Sequence, residues 1–162
     1  MRTITLKVNN MVRRIAIEDN ELLLDVLRDR LHIKSVKAAC WRGECGLCTV
    51  ILNGKPVKSC LVLAVEADGS NIVTAEGLSG KPGELAPIQK SFIDHAALQC
   101  GFCTPAFVVT AHYLLSKKKG RVEREEVKEY ISGLICRCTG YKQIVDAIMD
   151  ARKYYGEDLD EQ

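Results

Sequence analysis

The sequence predicts an α+β protein whose first half forms a sheet and whose second half is helical. In the first half, short runs of alternating apolar and polar residues are separated by Asn-Asn and Asn-Gly pairs, as in strands joined by tight turns. After residue 77 apolar residues recur every three or four positions, the period of a helix that faces a core. We therefore expect one domain at 1–76, a linker at 77–86 and a helical domain at 87–162.

The N-terminal half is predicted to begin with a β-hairpin and to contain one helix. Asn9-Asn10 tolerates the positive φ of a tight turn between strand-like segments, and Asp19 or Asn20 can cap the helix that follows. After the helix we predict a loop at 38–47, strands at 48–52, 57–65 and 71–74, and a hairpin turn at Asn53-Gly54.

The C-terminal half is predicted to be a four-helix bundle. Pro87 is suited to the first position of the first helix, and Thr104 to the N-cap of the second. The second helix should end in a lysine run before Gly120, because cations and glycine both favour a C-terminus. The third helix is predicted to have Glu123, Glu125 and Glu126 in its first turn, and the fourth to begin near Gly140.

Composition argues against several classes of function. The net charge is only +2 and the Lys and Arg residues are scattered, so no nucleic-acid-binding face is indicated. No apolar run approaches the ~20 residues of a membrane span, and the strand-like start shows no signal-peptide pattern. We expect no nucleic acid, no membrane, a cytoplasmic location, and a frayed acidic end at 156–162.

Eight cysteines form two groups of four, which in a cytoplasmic chain indicates metal or redox chemistry rather than disulfides. The spacing C-x4-C-x2-C, with a fourth cysteine eleven residues later, is the plant-type ferredoxin pattern for a 2Fe-2S cluster. This first group consists of Cys40, Cys45, Cys48 and Cys60.

The residues between these cysteines suit an anionic cluster. Four thiolates around an oxidised 2Fe-2S centre carry a net charge of about −2, and backbone N–H groups aimed at the sulfurs stabilise the reduced state. Gly43 and Gly46 permit a close wrap because they lack a Cβ, and Arg42 adds a cation. Inert thiols or zinc are alternatives, but inert thiols leave the spacing unexplained and zinc loops usually pair two C-x2-C units.

The second group is less specific, because one C-x2-C pair suits a redox disulfide, zinc or iron–sulfur. Each pair precedes a predicted helix start, at Thr104 and at Thr139, so two helix N-termini would direct N–H groups at one anion. We therefore predict a second cluster whose potential depends on both helix dipoles. A thioredoxin-like disulfide would need a βαβ pattern, and the unpaired histidines do not indicate a Rieske centre. The second group consists of Cys100, Cys103, Cys136 and Cys138.

Three motifs carry a resemblance to a known family: ACWRGECGLCTV from Ala39, QCGFCTP from Gln99 and ICRCTGY from Ile135. They resemble the iron–sulfur small subunit of the xanthine oxidase family of molybdenum hydroxylases, and the resemblance extends over nearly the whole chain. A few positions depart from the family pattern, and all eight cysteines are retained. The departures are Ala39, Leu47, Ala106 and Leu134.

The resemblance implies a ferredoxin-like β-grasp domain followed by a four-helix bundle. The first cluster would lie near FAD and the second near the molybdenum cofactor, with Gln99 and Cys138 approaching its pterin. The chain would be a non-catalytic electron-transfer subunit that relays electrons from molybdenum to FAD. Its partners would be a molybdopterin-binding large subunit and an FAD-binding medium subunit, in a heterotrimer or a dimer of heterotrimers. The alternatives from other classes are a free-standing ferredoxin and a zinc-stabilised interaction module.

Overall fold

The computed structural model describes residues 1–79, 81 and 83–156. Gly80 and Pro82 of the predicted linker lie outside the described residues, as do residues 157–162 of the predicted frayed end. The described chain contains a mixed sheet followed by helices, so the predicted α+β class is confirmed.

The sheet has five strands in the order β2-β1-β5-β3-β4. Strands β1 and β2 form one antiparallel hairpin, and β3 and β4 form the other. Both hairpins turn as predicted, because Asn9, Asn10, Asn53 and Gly54 all adopt positive φ. Strand β5 joins the hairpins by pairing parallel to β1 and antiparallel to β3. The strands are β1 (Arg2–Val8), β2 (Met11–Ile17), β3 (Thr49–Leu52), β4 (Lys55–Lys58) and β5 (Asn71–Val73).

The predicted cap of the first helix is wrong. The helix begins as α1 (Leu23–Asp25) and continues as a π-helix (Val26–Arg30), and its N-cap residue Leu22 makes no side-chain cap. The reason is tertiary: the backbone N–H of Leu23 donates to the carbonyl of Val62 at 2.8 Å. Pairing with this distant segment replaces the local cap expected at Asp19 or Asn20.

The predicted strand at 57–65 is also wrong in part. Strand β4 ends at Lys58, and two 3-10 turns follow, Ser59–Leu61 and Ala64–Ala67. The Ser59 hydroxyl and N–H both donate to the carbonyl of Cys48, at 2.8 and 3.3 Å. These bonds turn the chain inward directly before Cys60.

The helices of the second half lie close to their predicted positions. Helix α3 contacts α2 and α4, and α5 contacts α2 and α4. As predicted, Pro87 begins α2, Gly120 follows the end of α3, and α5 begins near Gly140, at Lys142. The bounds are α2 (Pro87–Asp94), α3 (Thr104–Lys117), α4 (Arg124–Ile131) and α5 (Lys142–Ala151).

Two buried clusters form the core. One lies between the sheet and the first helix, and includes Leu6, Leu24 and Val50. The other fills the space among the later helices and continues into the N-terminal half through Cys45 and Leu47. Helix α3 also packs against β3 and β4, so the helices hold the cysteine loop in place. Among the described helices, none has the length and apolar character required to cross a bilayer.

Candidate metal centres

The first cysteine group lies in the loop before β3 and in the 3-10 turn after β4. Cys45, Cys48 and Cys60 are buried, whereas Cys40 is half-buried. Positive φ angles at Trp41, Gly43 and Gly46 fold this loop back on itself. As a result the N–H groups of Arg42 and Cys45 point at the Cys40 sulfur, at 3.4 and 3.5 Å.

The pKa values of Cys40, Cys45 and Cys60 are shifted in different directions because their surroundings differ. The N–H groups of Cys45 and Arg42 lower the pKa of Cys40 to about 6. Burial and, to a smaller extent, the neighbouring Cys48 together raise the pKa of Cys60 to about 11. Burial also raises the pKa of Cys45. Cys40 can therefore bind a metal ion as a thiolate at neutral pH. The buried thiols would lose their protons when a metal ion binds.

In the second group each cysteine of one motif meets a cysteine of the other. The sulfurs of Cys100 and Cys138 lie 3.5 Å apart on the surface, and Cys103 interacts with Cys136 in the interior. Burial raises the pKa of Cys103 to about 12. Although burial opposes it, the hydroxyl and N–H of Thr139 lower the pKa of Cys136, at 3.1 and 3.5 Å from its sulfur.

The donor set suits a two-iron cluster. Among the described residues, no three His, Cys, Asp or Glu side chains converge as the ligands of one metal ion would. A 2Fe-2S centre does not require such a trio, because each iron takes two thiolates and shares two sulfides. The outer and inner cysteine pairs of the second group match that requirement.

The helix ends around the second group differ from the prediction. Cys103, not Thr104, is the N-cap of α3, and the buried Thr104 hydroxyl has no hydrogen-bond partner. Thr139 bonds to the sulfur of Cys136 instead of capping α5, which begins at Lys142. Only α3 therefore begins directly after a cysteine of this group, whereas the prediction required two such helices.

Sequence reasoning missed two residues that hold the loops. The Tyr141 hydroxyl accepts a hydrogen bond from the N–H of Cys136 at 2.9 Å and donates to the carbonyl of Leu134 at 3.2 Å. The Lys58 ammonium donates to the carbonyl of Gly43 inside the first cysteine loop. Both residues stand within a few positions of a cysteine, but their partners are visible only in the fold.

The two cysteine groups are in direct contact. The N–H of Ile135, which precedes Cys136, donates to the carbonyl of Cys45 at 3.0 Å. A cavity of about 360 Å³ lies beside this contact and is lined by Cys45 of the first group and by Cys100, Cys103 and Cys136 of the second. Phe102, Ile135 and Arg137 also line it. Phe102 and Ile135 are exposed, as are Cys100, its neighbour Gln99, and Cys138.

Comparison with known proteins agrees with this arrangement. Residues 6–79 match the family model of a 2Fe-2S iron–sulfur cluster binding domain, and residues 74–149 match that of a 2Fe-2S binding domain. A relative from Paenarthrobacter nicotinovorans, the 6-hydroxypseudooxynicotine dehydrogenase complex subunit beta, is 47% identical over 91% of this chain and 92% of its own length. The nicotinate dehydrogenase small FeS subunit of Eubacterium barkeri is also 47% identical, over 90% and 92%.

The chain is an iron–sulfur subunit of the xanthine oxidase family of molybdenum hydroxylases. Among solved structures, this iron–sulfur subunit is similar to quinoline 2-oxidoreductase from Pseudomonas putida 86, with a TM-score of 0.91, 41% identity and 95% coverage of both chains. It is also similar to the aldehyde oxidoreductase of Desulfovibrio desulfuricans, with a TM-score of 0.89 and 47% identity, but covers only 17% of that chain. An equivalent unit is therefore part of a longer polypeptide in that enzyme.

Proposed function

We propose that this subunit relays electrons between a molybdopterin site and FAD, both in partner subunits, through two 2Fe-2S clusters. The observation that carries the proposal is the presence of two separate groups of four cysteines, joined by the hydrogen bond from Ile135 to Cys45. When bound, each cluster supplies one-electron redox chemistry. The chain's own contribution is to hold the clusters, to direct N–H groups at their sulfurs and to keep the inner cysteines from water.

In this proposal the first group, Cys40, Cys45, Cys48 and Cys60, holds the cluster nearer FAD. The second group, Cys100, Cys103, Cys136 and Cys138, holds the cluster nearer molybdenum. Exposure supports the second assignment: Cys100, Cys138 and Gln99 are exposed on the surface, as are the apolar Phe102 and Ile135. Gln99 and Cys138 would contact the pterin from that surface. An apolar patch around reactive groups is typical of a subunit interface.

The proposal includes the finer architecture. The N-terminal half would be a ferredoxin-like β-grasp domain at 1–76, and the C-terminal half a four-helix bundle at 87–162 after a linker at 77–86. The hairpin–helix–strand order of the first half supports this division, as do the four helices of the second half, each of which contacts two of the others.

The expected assembly is a heterotrimer or a dimer of heterotrimers in the cytoplasm, with a molybdopterin-binding large subunit and an FAD-binding medium subunit. Relatives described as a small subunit, or as one subunit of a dehydrogenase complex, support a multi-subunit enzyme. A reducing compartment is consistent with cysteines that must stay free to bind iron.

Anaerobic reconstitution of the full chain with iron and sulfide tests the cluster assignment. We expect about four irons per chain and, after one-electron reduction of each cluster with dithionite, two distinct 2Fe-2S signals in electron paramagnetic resonance. Replacing Cys60 by Ala should abolish one signal, and replacing Cys136 by Ala the other, so each variant is the control for its partner. Retention of both signals in either variant, or a single signal in the unaltered chain, would overturn the assignment.

Co-purification tests the assembly. An affinity-tagged chain expressed with its natural partners should carry along two larger polypeptides, one with molybdenum and one with FAD. Replacing the exposed Phe102 by Ser should weaken capture of the molybdenum-containing chain, because it removes apolar surface from the proposed interface. Replacing the exposed Met11 by Ser, on the distant β2 edge, is the control. Isolation of a monomer without partners would favour a free ferredoxin.

A further inference from the structure

Lys58 connects the end of β4 to the first cysteine loop. Its side chain is half-buried, and the ammonium donates a hydrogen bond to the carbonyl oxygen of Gly43. Cys60 follows Lys58 by two residues. Lys58 therefore connects the segment that carries Cys60 to the loop that carries the other three cysteines of the first group.

The carbonyl that Lys58 holds lies between two N–H groups directed at a cysteine. The N–H of Arg42, one residue before Gly43, and that of Cys45, two residues after it, point at the Cys40 sulfur at 3.4 and 3.5 Å. The Gly43–Glu44 peptide between them is trans, so its N–H points away from the carbonyl that Lys58 holds. Fixing the carbonyl therefore restrains the segment whose N–H groups point at Cys40.

Lys58 also brings to this loop a positive charge that is not paired with a carboxylate of the described residues. Arg42, which the sequence singles out, forms an exposed ion pair with Glu44 at 3.2 Å, so its charge is largely cancelled. Lys58 takes part in no ion pair within the described portion of the chain. Its charge acts along the peptide to which it is bonded, since hydrogen bonds in series polarise one another.

We propose that Lys58 is a positioning residue that raises the reduction potential of the first cluster by anchoring and polarising the Gly43–Glu44 peptide. The inference rests on the proposed function, because it takes the first cysteine group as the cluster ligands. Reduction adds an electron to a site that already carries negative charge. A fixed cation and N–H groups directed at the sulfurs stabilise that added charge.

The test is a redox titration of the holoprotein, following both clusters by electron paramagnetic resonance. Lys58→Met removes the charge and the donor, Lys58→Gln keeps a donor without the charge, and Lys58→Arg restores both. Lys55→Met is the matched control, because Lys55 is an exposed lysine of the same strand and its loss changes the net charge equally. The second cluster serves as an internal reference.

In Lys58→Met we expect the ratio of reduced to oxidised first cluster, at a fixed ambient potential, to fall about tenfold, which is about 59 mV for a one-electron couple. Lys58→Arg should retain the unaltered potential, and Lys58→Gln should fall between. The second cluster should not shift in any variant, and Lys55→Met should leave both clusters unchanged.

Unchanged first-cluster potential in Lys58→Met, or an equal shift in Lys55→Met, overturns the inference while leaving the proposed function intact. If Lys58→Met fails to assemble the cluster, the comparison of Lys58→Gln with Lys58→Arg decides. A lower potential in Lys58→Gln supports the inference, and equal potentials overturn it. Absence of a first-cluster signal in the unaltered protein is a different result, since it would refute the proposed function itself.

Discussion

Tyr141 adopts a backbone conformation that non-glycine residues usually avoid. Its φ is 68°, which costs roughly 1–2 kcal/mol. Three contacts offset this cost. The hydroxyl bonds to the N–H of Cys136 and to the carbonyl of Leu134, and the ring packs edge-on against Phe107 at 6.1 Å. One side chain thus satisfies two backbone groups of the turn that carries a cysteine motif.

Replacing Tyr141 by Phe should destabilise this turn by about 1–3 kcal/mol, because it leaves the Cys136 N–H and the Leu134 carbonyl without their partner. We expect a lower melting temperature and faster loss of the second cluster's paramagnetic signal on warming. Tyr113→Phe, where the ring stacks on Tyr130, is the control. Equal melting temperatures of the two variants would refute this role for the hydroxyl.

At Gly46 the two cysteine loops pack tightly against each other. A Cβ at this position would lie 2.5 Å from the carbonyl oxygen of Gly133 and 2.5 Å from the side chain of Leu134, and the backbone φ is +70°. Any larger residue would separate the loops that the bond from Ile135 to Cys45 joins. Because Gly46 has no side chain, the buried side chain of Leu134 fits between the two loops.

We predict that Gly46→Ala lowers stability by about 3 kcal/mol, from backbone strain and overpacking together. Gly69→Ala is the matched control, since Gly69 has φ +75° but no atom within 4 Å of an added Cβ. It should lose about 1 kcal/mol from strain alone. Thermal unfolding of the two variants measures the difference, and equal losses would show that the loops are not in tight contact.

At the scale of elements, the turns and the helix start that depend on local residue chemistry could be predicted from the sequence. Asn9-Asn10 and Asn53-Gly54 turn both hairpins because such residues accept positive φ, and Pro87 begins α2 because its fixed φ suits a first helical position. The predictions were wrong where hydrogen bonds to distant segments determine where a helix begins or a strand ends. Pairing of Leu23 with Val62 displaced the predicted helix cap, and Ser59 ended a strand early by bonding to Cys48.

In the candidate site, too, local spacing could be predicted from the sequence and contacts between distant residues could not. Cysteine spacing predicted two groups of four, and the fold gathers each group. The roles of Lys58 and Tyr141 could not be predicted, because their partners depend on how the loops fold. Arg42 was expected to supply a cation, but its charge is taken up by Glu44, which a motif cannot reveal.

Helix α3 is tied to the segment after α5 by a buried pair. The Nδ1 atom of His112 lies 2.9 Å from the hydroxyl of Tyr155, and the two rings meet edge-on. Burial lowers the pKa of His112 and raises that of Tyr155. Both side chains are therefore neutral near pH 7, and one hydrogen bond joins them.

This pair should make stability depend on pH. An unfolded histidine has a pKa of about 6.5, so below that pH the unfolded chain binds a proton that the folded His112 resists. The contribution is complete above about pH 6.5 and is lost as the pH falls toward the lower folded pKa. His112→Asn, which keeps an acceptor near the Nδ1 position, should have a flatter melting-temperature profile between pH 8 and 5.5 than the unaltered chain.

The control for this pH profile is His32→Asn. His32 is exposed and already has positive φ, which Asn tolerates, so its replacement should leave the profile unchanged. A profile for His112→Asn as steep as that of the unaltered chain would show that other groups set the acid sensitivity.

At the scale of the whole molecule, the two halves share one of the two buried clusters. Cys45, Leu47 and Ala75 from the first half pack in the same cluster as the helices of the second. We therefore predict that the holoprotein unfolds in a single calorimetric transition, because neither half can open without exposing this shared surface. Two separated transitions would contradict this and would favour independently stable domains.

The position of the chain's single tryptophan has a practical consequence. Trp41 follows Cys40 directly, is 50% exposed, and its indole N–H donates to the carboxylate of Asp25 at 3.2 Å. Its fluorescence therefore reports from the rim of the first cysteine loop and from nowhere else in the molecule. Emission should be quenched while a coloured centre fills that loop, should recover as the centre is lost, and should shift to shorter wavelength when another protein covers the indole.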